Sequence, residues 1–301
     1  MRIDLHTHSW VSDGTEAPAA LVAAAAAQGV QIVATTDHDQ TAGWDESRDA
    51  AAEHGIGWVG GMEVTCRVPA SGKSVHMLCY LHDPTSPDLL AGLTRLRVDR
   101  ETRAQRIVER LAQDFAITWD HVLGMTQEGS TVGRPHIADA LVDLGIVPTR
   151  SDAFTDLLSP RNKYYVGTPA LDPVDAVRLI HSAGGVAVMA HPAASKRGRV
   201  VDREEMLAVV EAGLDGVEVH HRDNSEQGRA DLLTLASERD LIVTGSSDYH
   251  GRGKPNRLGE HTTAPDQLAR IIRKAESLSS RTGTARELPY AGFGLEDLTA
   301  S

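Results

Sequence analysis

Short aliphatic and β-branched runs alternate along this chain with stretches whose apolar positions recur every three to four residues. "RIDLHTH" (2–8) alternates as a strand does, and "EAPAALVAAAAAQG" (16–29) follows as an alanine-rich helix, opened by Glu16 and Pro18 and stopped by Gly29. "VQIVATTDHD" (30–39) reads as a buried strand, and "TAGWDESRDAAAEHG" (41–55) as a helix with Gly55 at its C-terminal stop. "IGWVGGMEVTC" (56–66) and "KSVHMLCYLH" (73–82) are two strands with no helix between them. From 172 the alternation resumes. "DPVDAVRLIHSAG", "REEMLAVVEAG" and "SEQGRADLLTLASERD" are helical, and "GVAVMAHP", "LDGVEVHH" and "LIVTGSSDYHG" are the strands between and after them. "APDQLARIIRKAESL" (264–278) is a last helix, and the polar final 25 or so residues carry no clear pattern.

Seven strands, most of them alternating with helices, predict an α/β fold: a distorted seven-stranded (β/α)7 barrel with a helical insertion after strand 4. A doubly wound open sheet is the alternative, but no Gly-x-Gly-x-x-Gly turn follows strand 1 to support a dinucleotide fold. Residues 84 to 168 break the rhythm. "PDLLAGLTRLRVDRETRAQRIVERLAQDF" (87–115) is one long helical pattern, followed by shorter helix-like pieces. The expected organisation is a barrel domain from 1–83 and 169–301, with 84–168 as a cap inserted between its halves.

Composition narrows the function classes. With 42 acidic against 30 basic residues, the net charge of −12 disfavours generic binding to nucleic acid or membrane. Bound divalent cations would invert that potential locally. Two cysteines, Cys66 and Cys79, imply no disulfide framework. With no signal-peptide pattern at the start and no apolar run near the ~18–20 residues of a membrane span, a soluble cytoplasmic protein is expected.

The 14 histidines matter through their positions. Strand 1 ends in His6 and His8, with Asp13 in the following loop. Strand 2 ends in Asp37 and His38, and strand 3 carries Glu63. Strand 4 carries His76, strand 5 ends in His191, and strand 7 ends in Asp248 and His250. The C-terminal ends of parallel barrel strands share one rim, where such folds build active sites. His6 and His8, two apart on a strand, face the same side, as do Asp248 and His250. Neutral imidazoles and carboxylates gathered in one place are ligands for zinc, iron or manganese. Six histidines and three acids would fill three sites of about three protein ligands each, or two more generous ones.

"DLHTHSWVSDGT", "TTDHD", "EVT", the strand-borne His76, "AHP" and "GSSDYHG" resemble, jointly and in order, the motifs of the polymerase-and-histidinol-phosphatase (PHP) family. The likeness is to its stand-alone phosphoesterase branch, related to the bacterial nucleotide phosphatase and 5′-to-3′ exoribonuclease, and covers nearly the whole chain. The resemblance implies three metals at the barrel rim. His6, His8, Glu63 and Asp248 would hold the first; Asp13, His38 and His250 the second; Glu63, bridging, with His76 and His191 the third. Asp37 would orient ligands rather than bind metal itself.

The chemistry so implied is phosphoester hydrolysis by a hydroxide bridging two metals, with no protein nucleophile; "TGSS" lacks a nucleophile-elbow context. Two to three divalent ions (Mn, Fe or Zn) are the expected cofactors. In "GRPHIADAL", Arg134 and His136 stand at a loop-to-helix start, and "SPRNKYYVG" offers Arg161 and Lys163. In the related phosphatases the matching motif and a basic cap residue touch a second phosphate. This gives Arg134, His136 and Lys163 as substrate-binding candidates, and a nucleoside 3′,5′-bisphosphate losing its 3′-phosphate as the expected reaction. Exonucleolytic cleavage of short RNA is the alternative, with Arg103, Arg106 and Arg110 forming a polyanion track or else simply a solvated, ion-paired helix face. A histidinol-phosphate phosphatase and a non-catalytic metal-binding module rank lower. No membrane and no obligate protein partner are expected. Either Trp10 or Trp44, near the rim loops, could stack on a base, and His220 or His221 could face the site.

Overall fold

A computed structural model describes residues 1–127, 130, 132–167, 170–195, 198–282 and 286–299 of the chain. The first half alternates as the pattern predicts: β1 (Ile3–Asp4), α1 (Pro18–Ala27), β2 (Ile32–Thr35), α2 (Trp44–His54) and β3 (Gly57–Arg67). Helix α2 ends because Gly55 turns left-handed at φ 64°, a conformation open to a residue without a Cβ. β4 (Ser74–Tyr80) pairs antiparallel with β3, and four helices follow it: α3 (Pro87–Leu111), α4 (Trp119–Leu123), α5 (Arg134–Asp143) and α6 (Arg150–Thr155). The alternation then returns with α7 (Pro173–Ser182), β5 (Val186–Ala190), α8 (Arg203–Glu211), β6 (Gly216–His220), α9 (Glu226–Arg239), β7 (Ile242–Gly245) and α10 (Pro265–Thr282). A last pair, β8 (Tyr290–Ala291) and α11 (Leu295–Thr299), was not foreseen. β8 lies antiparallel along β3, with Trp58 opposite Ala291. Two paired residues in a polar tail have no periodicity to betray them.

The sheet runs β1 to β7 in chain order. Its two ends nearly meet: Thr7 bridges Tyr249 in parallel, and the His8 amide donates to the Tyr249 carbonyl at 2.8 Å. The barrel is distorted because β4 runs against both neighbours, β3 and β5, while the other neighbouring pairs are parallel. Period-two alternation sorts the strands. Met62, Val64, Cys66, Met77, Cys79, Ala187 and Met189 pack in one buried cluster with residues of α3 and α7–α9. Val59, Leu78, Tyr80, Val186 and Val188 enter another with Ile3, Leu5 and the apolar stripe of α10.

Helix α3 belongs to two cores. Its N-terminal Leu89, Leu93 and Leu96 join the barrel cluster. Its C-terminal Ala104, Ile107, Val108 and Leu111 join a separate cluster with Val122, Ile137, Leu141 and Ala153 of α4–α6. The predicted cap boundary at 168/169 lies outside the described residues. Among the described residues, no helix is long and apolar enough to cross a membrane.

His82, just past β4, is fully buried with its ring 4.9 Å from that of Trp44. Burial, reinforced by the nearby Arg286 guanidinium, pulls its pKa from 6.5 to about 3. The unfolded chain takes up this proton where the folded one does not, so stability rises with pH across that window. Acidification below about pH 6.5 should therefore cost up to about 1.4 kcal/mol per pH unit from this residue. Thermal melts at pH 7.5 and 5 check this, because His82→Leu should lose less stability over that interval than the wild type.

Candidate metal centre

The inner face of the β3–β4 hairpin sets the site. Glu63 shares strand parity with Val59, and His76 with Leu78 and Tyr80, so both side chains face the barrel interior. The register places Glu63 opposite Leu78 and Thr65 opposite His76, making Glu63 and His76 diagonal neighbours. Their side chains meet, Nδ1 to Oε1, at 2.7 Å.

The other ligand candidates close around Glu63. Its Oε2 lies 3.3 Å from His6 Nε2, 3.0 Å from His8 Nε2 and 3.5 Å from His38 Nε2. His191 Nε2 approaches Oε1 at 3.2 Å. Asp248 Oδ1 stands 3.5 Å from Nε2 of both His6 and His8. Asp13 meets His250 Nε2 at 3.2 Å and His38 Nε2 at 3.8 Å. All nine residues expected from the motifs thus come together. Ligand atoms of His6, His8, Glu63 and Asp248 fall within 4.8 Å of one another, as do those of His8, Asp13 and His38, and of His38, Glu63 and His76. His250 and His191 flank these groups, the ring of His250 only 4.1 Å from that of His8. His191 and Asp248 sit at positive φ, 30° and 52°. Such backbone is costly for residues with a Cβ and tends to persist where side-chain placement matters.

Hydrogen bonds at the far side of three rings fix which nitrogen looks inward. His6 Nδ1 meets Glu218 at 3.0 Å, His250 Nδ1 the Asp248 carbonyl at 2.8 Å, and His38 Nδ1 the Glu63 carbonyl at 3.4 Å. Each partner is an acceptor, so each Nδ1 carries the proton and each Nε2 lone pair faces the centre. Lone pairs there face carboxylate oxygens and, between His6 and His8, another imidazole nitrogen at 3.0 Å. Acceptors aimed at acceptors in a buried space fit a divalent cation.

The electrostatics agree for the carboxylates and for His38 and His250, whereas His6, although burial opposes its charge, is held well above its ordinary value by Glu63, Glu218 and Asp248, so an ion binding there would displace its proton. Burial opposes charge on Glu63, yet the His76, His38 and His6 rings hold its carboxyl well below the usual range. Asp13 is likewise lowered against its burial, by His250 and His38. Burial pushes His38 well below its ordinary value, and burial with Lys254 and His8 brings His250 down to about 4. Ionised carboxylates and neutral imidazoles are the forms that bind metal.

Asp37 accepts from the Ser9 amide and hydroxyl at 2.9 and 2.7 Å and from the Ser12 hydroxyl at 2.6 Å. Ser12 Oγ stands 3.4 Å from His8 Nδ1, so Asp37 reaches that ring through Ser12. Glu218 escaped the sequence reading. It is fully buried, touches His6, accepts from the His191 amide at 2.8 Å and binds the Ser246 hydroxyl. Burial would raise its pKa, but His6 holds it at about 2. Its one sequence signal is an acid on the inward parity of "GVEVH". Of the two adjacent histidines, His221 is the buried one, its Nε2 3.5 Å from Asp248 Oδ2.

The comparisons with known proteins agree with this geometry. A PHP domain model matches residues 4–138. The 3′,5′-nucleoside bisphosphate phosphatase of Chromobacterium violaceum is 34% identical over 271 residues, 90% of this chain and 94% of that protein. The chain belongs to the PHP family. A 5′-3′ exoribonuclease of Haemophilus influenzae is 33% identical over 91% of this chain and 98% of its own. A crystal structure from Bifidobacterium adolescentis, described as a candidate metal-dependent phosphoesterase, superposes with a TM-score of 0.88 at 46% identity, covering 90% of this PHP chain and 96% of that one. The protein is a phosphoesterase enzyme of the metal-dependent kind, with a buried histidine–carboxylate cluster suited to divalent ions.

Arg134 stands in a group of basic residues that also draws on β3 and α3. Arg134 and His136 stand at the start of α5, and the His136 Nδ1 accepts from the Gly133 amide at 3.1 Å. Lys163 is 69% exposed and pairs with Asp114 at 2.7 Å. Arg67 of β3 and Arg100 and Arg103 of α3 gather with Arg134. Arg67 Nη2 donates to the Tyr165 hydroxyl at 3.5 Å. Arg103 and Arg134 both lie over the Tyr165 ring, at 5.4 and 5.9 Å. Arg100 joins α3 to the loop after β2, 2.9 Å from Asp39 Oδ2.

Second-sphere partners of metal-bound histidines typically contribute 10–100-fold to metal affinity. Glu218→Gln should weaken Mn²⁺ or Zn²⁺ affinity by roughly that factor in a chelator-competition titration. Stripping metal should lower the melting temperature of the wild type, and restoring it should reverse the drop.

Proposed function

We propose that this phosphoesterase removes the 3′-phosphate of nucleoside 3′,5′-bisphosphates, leaving AMP-type products. The observation that carries the reading is a concentration of guanidinium groups near the metal-ligand cluster, of which Arg100 pairs with Asp39 while Arg67, Arg103 and Arg134 pair with no carboxylate among the described residues. Arg67, Arg103 and Arg134 surround Tyr165, and Arg100 lies close enough to act on both His38 and His136. Burial, then the charge of Arg134, Arg100 and Arg67, brings Arg103 down to about 9. Like charges gathered in a partly buried place fit an anion, and guanidinium groups fit a phosphate. A substrate with two phosphates would put one at the metal cluster and the other among the arginines. The relative from Chromobacterium violaceum bears the name of that activity.

His6, His8, Glu63 and Asp248 would hold a first ion, Asp13, His38 and His250 a second, and Glu63, His76 and His191 a third, with manganese, iron or zinc as the candidates. Bound divalent ions supply Lewis acidity toward a phosphoryl oxygen and an acidified water as nucleophile. The chain's own part is placement. Glu218 and Asp37 set the orientation of His6 and His8, and the arginines hold the non-reacting phosphate. Phosphoryl transfer requires little from a protein beyond such positioning and charge.

The same pocket would take the 5′-phosphate of a short RNA, and an exoribonuclease is among the relatives. The α3 arginines give that reading less support. Arg103 donates to the Val166 carbonyl at 2.7 Å, and Arg110 to the carbonyls of Lys163 and Tyr165. Those bonds hold Arg110 to the cap and keep Arg103 beside Tyr165, in the pocket rather than along an open track.

A phosphate-release panel with metal-reconstituted protein separates the two. Adenosine 3′,5′-bisphosphate should turn over to AMP and stop there, ahead of AMP, histidinol phosphate and 5′-phosphorylated dinucleotides. Turnover of the dinucleotides alone would refute the small-molecule reading. A charged hydrogen bond contributes about 1.5–3 kcal/mol, so Arg134→Ala should raise KM for the bisphosphate roughly 10–100-fold while leaving p-nitrophenyl phosphate hydrolysis near wild type.

A further inference from the structure

The loop that presents Asp13 to the metal cluster has a second face. Its Trp10, Gly14 and Thr15 wall one side of a cavity of about 160 Å³, and cap residues Met125, Gln127 and His136 wall the other. Of the two tryptophans near the rim, Trp44 is core: 8% exposed, its Nε1 donating to the Gly61 carbonyl at 2.9 Å, its ring edge-on to Trp58. Trp10 is 38% exposed. Its amide donates to the Glu16 carbonyl at 2.8 Å, so the turn that carries the indole is held by its backbone. Gly14 keeps that turn tight, because a Cβ there would meet the His8 carbonyl oxygen at 2.2 Å. Arg150 spans the joint between cap and loop. Its Nη1 donates to the Asp13 carbonyl at 3.4 Å and its Nε to Asp139 at 2.7 Å.

We propose that this cavity is the seat of the substrate's nucleobase, with Trp10 as its stacking platform. The inference rests on the nucleotide reading above and adds to it where the base goes. Four features argue for it. A cavity near 150 Å³ accepts one benzene ring, so this one admits an aromatic ring but not a whole nucleotide. The cavity pairs an exposed indole with a Met125 thioether, and both favour a flat aromatic guest. Thr126, Gln127 and the neutral ring of His136, whose pKa burial lowers, offer hydrogen-bonding groups to a heterocycle's edge. Finally, Gly14 follows Asp13 directly, and His136 lies two residues from Arg134. A base seated there would therefore lie beside the loop that carries Asp13 and the helix that carries Arg134, with its ribose free to send one phosphate to the cluster and the other to the arginines.

Stacking on an aromatic side chain is worth about 1–3 kcal/mol per base by alanine substitution, and every base has a π-face, so the platform should bind without strong base selectivity. Trp10→Ala, Trp10→Phe and the wild type are compared on adenosine 3′,5′-bisphosphate and on its base-free analogue, 1-deoxyribose 3,5-bisphosphate. Calorimetry with AMP and ribose 5-phosphate gives the affinities independently of turnover. Trp10→Ala should lose about tenfold in kcat/KM on the nucleotide, mostly through KM, and less than twofold on the base-free compound. Trp10→Phe should recover most of the loss. AMP affinity should fall by a similar factor in the alanine variant, with ribose 5-phosphate unaffected. An equal loss on both substrates, or no loss on either, overturns the subsite while leaving the proposed function standing. A wild type that hydrolyses neither bisphosphate overturns the proposed function itself.

Discussion

The fold depends on keeping charged groups out of water at one end of its barrel. Asp4, Asp13, Asp37, Glu63, Glu218 and Asp248 are all buried there, with His6, His8, His38 and His250 among them. Withdrawing one carboxylate from water costs several kcal/mol after relaxation, and an unpaired one in a core is not tolerated. Imidazoles alone cannot compensate, because burial itself drives two of them, His38 and His250, toward the neutral form. His6 answers part of the charge, being held well above its ordinary value by Glu63, Glu218 and Asp248, and a divalent cation would answer the rest around Glu63, Asp13 and Asp248. A bound divalent ion would stabilise this end of the barrel by neutralising that charge.

The constraint reaches into the strands. Glu63 and His76 arrive on the inward parity of β3 and β4, where a one-residue slip would turn either outward, and the other seven candidates lie in the segments just past strand ends. The antiparallel hairpin of β3 and β4 meets the demand from both directions. Glu63 stands in the middle of β3 and His76 near the beginning of β4. A purely parallel barrel would draw all its ligands from strand exits. This one takes His76 from a strand entrance, at the cost of the regular form.

Much of this could be read from residue order. The alternation of aliphatic runs and amphipathic stretches exposes the strands and most helices, because each buries one face. The paired spacings of His6–His8 and Asp248–His250 suggest a shared strand face, whereas the strands end at Asp4 and Gly245 and both pairs lie beyond them, yet all nine ligand candidates meet in the structure. The supporting residues are harder to see. Glu218 looks like any acid in an alternating strand, and its importance comes from His6, 212 positions away. Arg67 and Arg100 carry no local motif and acquire meaning only when α3 is laid across the rim. Lys163 looked suited to phosphate by charge and neighbourhood, yet its amine pairs with Asp114. A basic residue in a loop has no periodicity to say which way it points. The β8 strand was invisible because its two residues gain their structure wholly from pairing with β3.

Helix α3 has a mechanical consequence. At 25 residues it is about 37 Å long. It is rooted among barrel side chains at its start and among cap side chains at its end, with Arg97 and Arg100 clasping Asp39 between them. The cap therefore rides on a shaft pinned at mid-length, with Arg150 reaching back to the Asp13 carbonyl as a second tie, and the rest of its far end can be rebuilt without disturbing the root. Descendants of such a chain could exchange what they hold above the rim while inheriting the ion-binding floor intact.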